Sequence, residues 1–345
     1  MLLGNNLDYA GDPTVSADLA TAREKAGVDV MWVSEAYGFD APTMMGYLAA
    51  KTERLQIGSA IMNVYSRTPA AMAQTAAGLD NVSGGRAILG LGASGPQVIE
   101  GFHGLPYARP ISRVRDTVEV VRAVLRREAP LEYEGRTVTI PLPPEQGTGL
   151  GKPLKLINHP ERADLPIYLA SVTDASVEMT AEIADGWIPA FFVPELAAEA
   201  YRGPLEAGRA RRDPSLAPLA IATGGFLGIA EGEERLRMLD RGREQLALYV
   251  GGMGARGKNF YNTLFASYGY VEEAKVIQDL YLTGRKAEAE AAIPLDVLEK
   301  VNLIGSEGFV KERIAAFDEA GVTILNVNPL SDDLDILTKV KGWLP

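Results

Sequence analysis

The residues able to do chemistry in this chain are mostly amides, hydroxyls and glycines. No cysteine is present, and there are two histidines, His103 and His159. Thiolate nucleophiles, disulfides, zinc–thiolate sites and iron–sulfur clusters are therefore excluded, and a histidine-built metal centre is disfavoured. No GxSxG elbow presents a serine nucleophile. A glycosidase needs two carboxylates roughly 5–10 Å apart, and Glu35 with Glu100 is the one pair to propose. What remains lies in short polar runs: Asn5-Asn6, Ser34-Glu35-Ala36-Tyr37-Gly38, Asn63 with Tyr65, Ser66 and Arg67, Gly92-Ala93-Ser94-Gly95, Thr173 to Ser176, and Asn326 to Asn328. Such a set suits hydrogen bonding to a flat heteroaromatic ring better than hydrolysis.

Regular elements must carry these runs, and the stretch 55–96 displays them best. Leu55 to Ile61 is short and apolar, as a strand buried on both faces should be. A polar turn follows, then Pro69 at a helix start and alanine-rich sequence to Leu79. Ala87 to Leu91 reads as the next strand, and Gly92-Ala93-Ser94-Gly95 leaves backbone N–H groups open to a ligand. Gly90 to Gly95 also fits GxGxxG. A true dinucleotide fingerprint opens a long helix and follows the first strand. Here Pro96 intervenes, Gly101, Gly104, Pro106 and Pro110 break up what comes next, and the preceding strand is the fourth. An anion-binding loop of another fold is the better reading, with a plain structural turn as the alternative.

The same alternation extends along the chain. Strands are expected near 2–6, 28–33, 55–61, 87–91, 166–170, 185–189, 219–229 and 322–327. Helices are expected between them: one capped by Ser16 and stopped at Gly27, others at 41–52, 112–127, 173–184, 195–210, 233–249 and 307–319, and a last one from 332 to 341. Eight βα units without a composition break predict a single (βα)8 barrel over 1–345. Two excursions interrupt it, about 130–163 and 251–301. These are insertions after strands 4 and 7, and long loops of this kind commonly act as covers. In such a barrel the working face lies at the strands' C-terminal ends, where the polar runs fall.

The 345 residues carry a net charge of −11. That argues against nucleic acid or an anionic membrane as partner. Local N–H dipoles and a few cations would have to hold any anionic cofactor against the overall field. No apolar run approaches a membrane span and no signal-like segment opens the sequence, so a soluble cytoplasmic protein is expected.

The residues SEAYG at 34–38, IGSAIMNVYSRTPAAMAQTAAGLD at 57–80, SGGRAILGLGASGPQVIEGFHG at 83–104 and PIYLAS with AEIADGWIP at 166–189 carry a resemblance. The chain resembles the luciferase-like flavin and deazaflavin oxidoreductases, most of all the branch that uses coenzyme F420. The resemblance implies a TIM barrel, hydride transfer between the deazaflavin and a small organic substrate, and a homodimer. It implies a cis peptide between Ala60 and Ile61 beneath the cofactor ring, with Met62 beside it. It places Gly92, Ala93 and Ser94 along the cofactor side chain, and Thr173, Ala175 and Ser176 at its phosphate. Glu35 would stand near the ring, and Glu35, Asn63 and Tyr37 near the reacting centre. Ala36 replaces the histidine of the sugar-phosphate dehydrogenases, and Asn5-Asn6 stand where the methylene-pterin reductases carry a glutamate. Both departures speak against those substrates. An FMN-dependent monooxygenase, or a barrel that binds F420 without catalysis, are the alternatives. No metal is implied.

Overall fold

The computed structural model describes residues 1–7, 11–331 and 333–345. Eight parallel strands form a closed ring. They are β1 (Leu2–Leu7), β2 (Val30–Val33), β3 (Gln56–Ser59), β4 (Ala87–Gly92), β5 (Ile167–Ala170), β6 (Gly186–Ile188), β7 (Ala220–Ile229) and β8 (Ile324–Pro329). Pairing of β8 with β1 and of β6 with β7 closes it. The barrel axis is filled by its own side chains. Trp32 and Tyr168 pack with ring centroids 5.6 Å apart. The Trp32 indole N–H donates to Asn326 Oδ1 at 2.8 Å. Gly58 makes this possible, because a Cβ there would lie 2.3 Å from the indole.

Helices α1 (Pro13–Lys25), α2 (Ala41–Lys51), α3 (Pro69–Ser83), α4 (Pro110–Arg126), α5 (Asp174–Ile183) and α6 (Pro194–Arg209) sheathe the ring. The first begins earlier than its hydroxyl signal predicts. Asp12 is the cap, accepting from Thr14 N at 2.7 Å, and Pro13 takes the first helical position, so Ser16 lies inside the helix. An Asp-Pro pair is the stronger start signal. The last helix is Asp335–Trp343, and its expected start at Asp332 lies outside the described residues. A short helix, Pro96–Gly101, also stands where only breakers were read.

The two excursions go to different places. The first is not a cover over the mouth. Its hairpin lies along α4, where Asp116 accepts from Tyr133, Thr137 N and Thr137 Oγ1. Its end is pinned at the barrel base, Arg162 donating to Asp80 and to Ala87 O. Proline and glycine content announces an irregular segment but not which rim it follows. The second starts earlier than expected, because β7 overruns the barrel. Helix α7 (Gly232–Ala247) belongs to it and reaches the mouth. The helix Glu307–Glu319 packs on α6 and β7 and takes the sheath position before β8.

Charge stitches the base of the barrel. Glu24 accepts from Glu53 N, Arg54 N and Leu55 N at 3.1, 2.6 and 2.7 Å. Arg86 donates to the carbonyls of Ala49, Thr52, Leu55 and Ser83. Burial pushes the Glu24 carboxyl up, but the three backbone N–H groups outweigh it and hold it below its ordinary value. A depressed carboxyl contributes stability that is full above 4.5, the ordinary value, and is lost as pH falls through the folded one. Glu24→Ala is expected to cost about 3 kcal/mol, since three backbone donors, that of Leu55 buried, lose their acceptor. Urea denaturation at pH 7 and pH 4 measures this. A loss that is under about 1 kcal/mol, or that does not shrink at the lower pH, contradicts this role.

Candidate functional site

The strand tips form a shallow bowl. Its floor lies at the end of β3, where the peptide joining Ala60 to Ile61 is cis. Met62 follows and is fully buried, while Ala60 and Ile61 are partly open to the bowl. A Cβ at Gly92 would meet the Ile61 side chain at 2.7 Å and the Ala170 Cβ at 3.5 Å. The tips of β3, β4 and β5 therefore touch one another.

On one side of the floor, side chains lock the tips together. Glu35 is 6% exposed and receives both Arg67 guanidinium nitrogens at 2.9 Å. It also accepts the α2 N–H of Ala41. Arg67 reaches the Ser66 hydroxyl at 3.0 Å. Asn63 Oδ1 accepts Tyr65 N and Ser66 N, and Asn63 Nδ2 lies 3.3 Å from His103 Nε2. Tyr65 stacks on Tyr107 with centroids 5.5 Å apart, and Tyr107 donates to Ser94 O at 3.0 Å. The Arg113 guanidinium covers the Tyr65 ring. Burial, with Tyr65 alongside, pushes the Tyr107 phenol up to about 12, so it stays a donor at neutral pH.

This sorts the residues singled out by sequence. Glu35, from the loop after β2, is joined to Asn63, in the turn between β3 and α3, through Arg67 and Ser66, but Arg67 and Ala41 N occupy the Glu35 carboxylate and Tyr65 N and Ser66 N occupy Asn63 Oδ1. Tyr37 stands apart from them, 69% exposed and without a hydrogen-bond partner among the described residues. His159 lies on the strap along α4, far along the chain from this network. Arg67 is the partner that sequence reasoning lists without assigning. Thirty-two residues separate it from Glu35, and only the barrel brings them together.

On the other side the tips offer N–H groups. Ala93 N and Ser94 N carry no hydrogen bond among the described residues, and Ser94 has φ 57°. Beside them, α5 begins with Thr173 and Ser176 in a reciprocal cap. Ser176 Oγ donates to Thr173 O at 2.8 Å, so these hydroxyls serve the helix. The N–H groups of Asp174 and Ala175 remain unused. Two sets of open donors on adjacent strand tips, one at a helix N-terminus, are arranged as an anion could use them. Residues with positive φ mark three tips: Ala36, Ser94 and Phe191.

The far wall is aromatic. Phe191, Tyr249 and Tyr261 meet edge to face at 4.8 to 6.0 Å. Behind them a cleft of about 190 Å³ opens between β6 and β7. The sequence puts residues 189–192 at a strand tip and some aromatics of the second excursion at the mouth, but it does not show Tyr249 or the cleft. Gly224-Gly225 inside a strand was the available signal, since paired glycines there mark a break in the ladder or a close approach.

The Glu35–Arg67 pair carries a prediction. Arg67→Met leaves a buried carboxylate with one N–H partner and is expected to cost about 3–5 kcal/mol. Adding Glu35→Gln should recover part of that loss. Denaturant titration of the four proteins closes the cycle. A single-variant cost under about 1 kcal/mol would show that the pair does not hold the tips.

A model of the luciferase-like monooxygenase family matches residues 3–323. A Mycobacterium tuberculosis protein named as a coenzyme F420-dependent oxidoreductase is 37% identical over 95% of this chain and 94% of its own. Among solved structures, the F420-dependent tetrahydromethanopterin reductase of Methanopyrus kandleri superposes with a TM-score of 0.77 at 24% identity, covering 99% and 98% of the two chains. The oxygenating constituent of the Pseudomonas putida 3,6-diketocamphane monooxygenase, in complex with FMN, gives 0.63 at 20% identity over 100% and 99%. Such likeness below 25% identity speaks to fold.

Proposed function

The chain belongs to the luciferase-like monooxygenase family, and from that premise we propose that it is an F420-dependent oxidoreductase. Hydride would pass between the deazaflavin ring and a small organic substrate. One observation carries this reading: the open N–H groups of Ala93, Ser94, Asp174 and Ala175 on the neighbouring tips of β4 and β5. They suit a phosphate-bearing tail whose ring lies over Ala60 and Ile61. No cation is needed there, which matters in a chain of net charge −11.

The ring, when bound, supplies the hydride chemistry, and the protein supplies position and solvent exclusion. Ala93 and Ser94 would donate along the side chain. Ala175 N–H would meet the phosphate, with Thr173 and Ser176 holding the helix end in shape. Glu35 and Arg67 would act as positioning residues, keeping the β2 and β3 tips at fixed separation beneath the ring. Tyr107 and the aromatic wall would keep water out. In the direction of reduction the substrate would gain a hydride from the reduced ring and a proton from solvent on the open side of the bowl, away from the walls that exclude water.

The name of the 37% identical relative supports F420 over FMN. FMN carries a phosphate too, so the anion seat alone does not choose. Titration of the purified protein with each cofactor, followed by absorbance, decides. F420 is expected to bind at least about tenfold tighter than FMN, a difference of 1.4 kcal/mol. Tight FMN uptake with indifference to F420 would overturn the assignment. Failure of bound, reduced F420 to react with any carbonyl or enone would make the protein a cofactor carrier instead.

A further inference from the structure

The barrel wall is not continuous between β6 and β7. The two strands pair only at their base, Ala220 with Gly186 and Ile221 with Trp187. Higher up, β7 takes a different neighbour, the short strand Leu303–Gly305, from Leu227 onward. Between these two contacts the wall parts. Pro189 follows β6 and has no N–H to offer, so the ladder cannot continue. On β7 the gap is faced by Gly224 and Gly225. A Cβ on Gly225 would lie 2.1 Å from Val301 O and 2.8 Å from Asn302 Oδ1. Asn302 fixes the upper edge, accepting Phe226 N at 2.9 Å and donating to Leu298 O at 2.8 Å.

We propose that this parted wall is the substrate pocket, and that it takes an uncharged molecule with a single small ring or branched chain and a hydrogen-bond-accepting carbonyl or hydroxyl. The proposal rests on the cofactor reading above, because the bowl beside the cleft must hold the ring. Three observations argue for it. The cleft has about 190 Å³, the volume of about six waters at ~30 Å³ each. That suits one ring.

Among the described residues the lining carries no Asp, Glu, Lys, Arg or His. An ionised substrate would leave its charge uncompensated against apolar and amide surface, at high cost. The polar groups on offer are amides. Asn328 Oδ1 already accepts Asn6 N at 3.3 Å. Its NH₂ is left to donate, and it has no partner among the described residues, as is true of the side-chain amides of Asn6 and Gln245. Amide N–H groups at one end and the Phe191 and Tyr249 rings at the other match a molecule with an acceptor oxygen on an apolar body. The position agrees: Asn6 and Asn328 sit on the adjacent tips of β1 and β8, at the inner mouth of the cleft, facing the bowl.

The test uses the full-length protein without cofactor and two matched probes, cyclohexanone and cyclohexanecarboxylate, read by saturation-transfer NMR titration. Cyclohexanone is expected to bind about tenfold tighter than the carboxylate. Asn328→Asp, with Gln245→Glu as a second variant should the first not fold, is expected to weaken cyclohexanone binding about fivefold, the worth of one hydrogen bond. Equal binding of the two probes, no cyclohexanone binding at tens of millimolar, or unchanged ketone affinity in a folded variant overturns the proposal. F420 is titrated into the same wild-type sample. Loss of F420 binding with the probe pattern intact would strike the cofactor reading and spare the pocket. F420 binding without the probe pattern would strike the pocket alone.

Discussion

A buried ion pair stands beside the centre of this barrel's working face. Glu35 comes from the loop after β2 and Arg67 from the turn after β3, and each oxygen of the one meets a nitrogen of the other. The pair is expensive to bury, and an apolar replacement of the same shape is often no less stable. What it provides is geometry. A bidentate guanidinium–carboxylate contact fixes both distance and angle. Ser66 and Asn63 extend it to His103. A parallel chain of rings runs from Tyr65 through Tyr107 to the backbone of Ser94. Three successive strand tips thus hang on one connected network. A flat ring laid over Ala60 and Ile61, as proposed, would need such a rigid seat, because transfer between bound groups tolerates little error in distance.

A second set of charges lies at the opposite end of the barrel. Glu24, Arg86, the Asp80–Arg162 pair and the Asp29–Lys341 pair all lie at the base, where they satisfy backbone groups at the starts of strands. The base needs strong acceptors and donors because turns there leave N–H and C=O groups buried and without ladder partners. The mouth needs the reverse. Its donors are left open by glycine and by helix start, so that a ligand can satisfy them. The same accounting of backbone hydrogen bonds explains both ends of the barrel.

Much of the architecture was legible because it rests on local signals. Buried parallel strands appear as short apolar runs, and helices between them carry proline, alanine and glycine at their ends. Thr173 and Ser176 announced a helix start, and the glycines after β4 announced open backbone. What escaped the sequence is what depends on contacts across the chain. Nothing near Glu35 names Arg67 as its partner. Nothing in residues 130–163 says that Arg162 will find Asp80 at the base instead of crossing the mouth. The over-long β7 hid a further point: Ala220–Ile229 reads as one strand, while its two halves answer to different neighbours.

That change of neighbour links fold to specificity. Eight strands close a barrel only if every pair keeps its register, and a ring closed all the way up would leave a substrate only the open bowl. Here β7 holds β8 along most of its length but releases β6 after two residues. The excursion from α7 to Val301 then forms the outer side of the gap. Residues that set the seat for the ring and residues that line the gap belong to different halves of the barrel. The first half is tied by the Glu35–Arg67 network and the second by Asn302 and the aromatic wall. Substitutions in the excursion can therefore reshape the gap without loosening the tips of β2, β3 and β4.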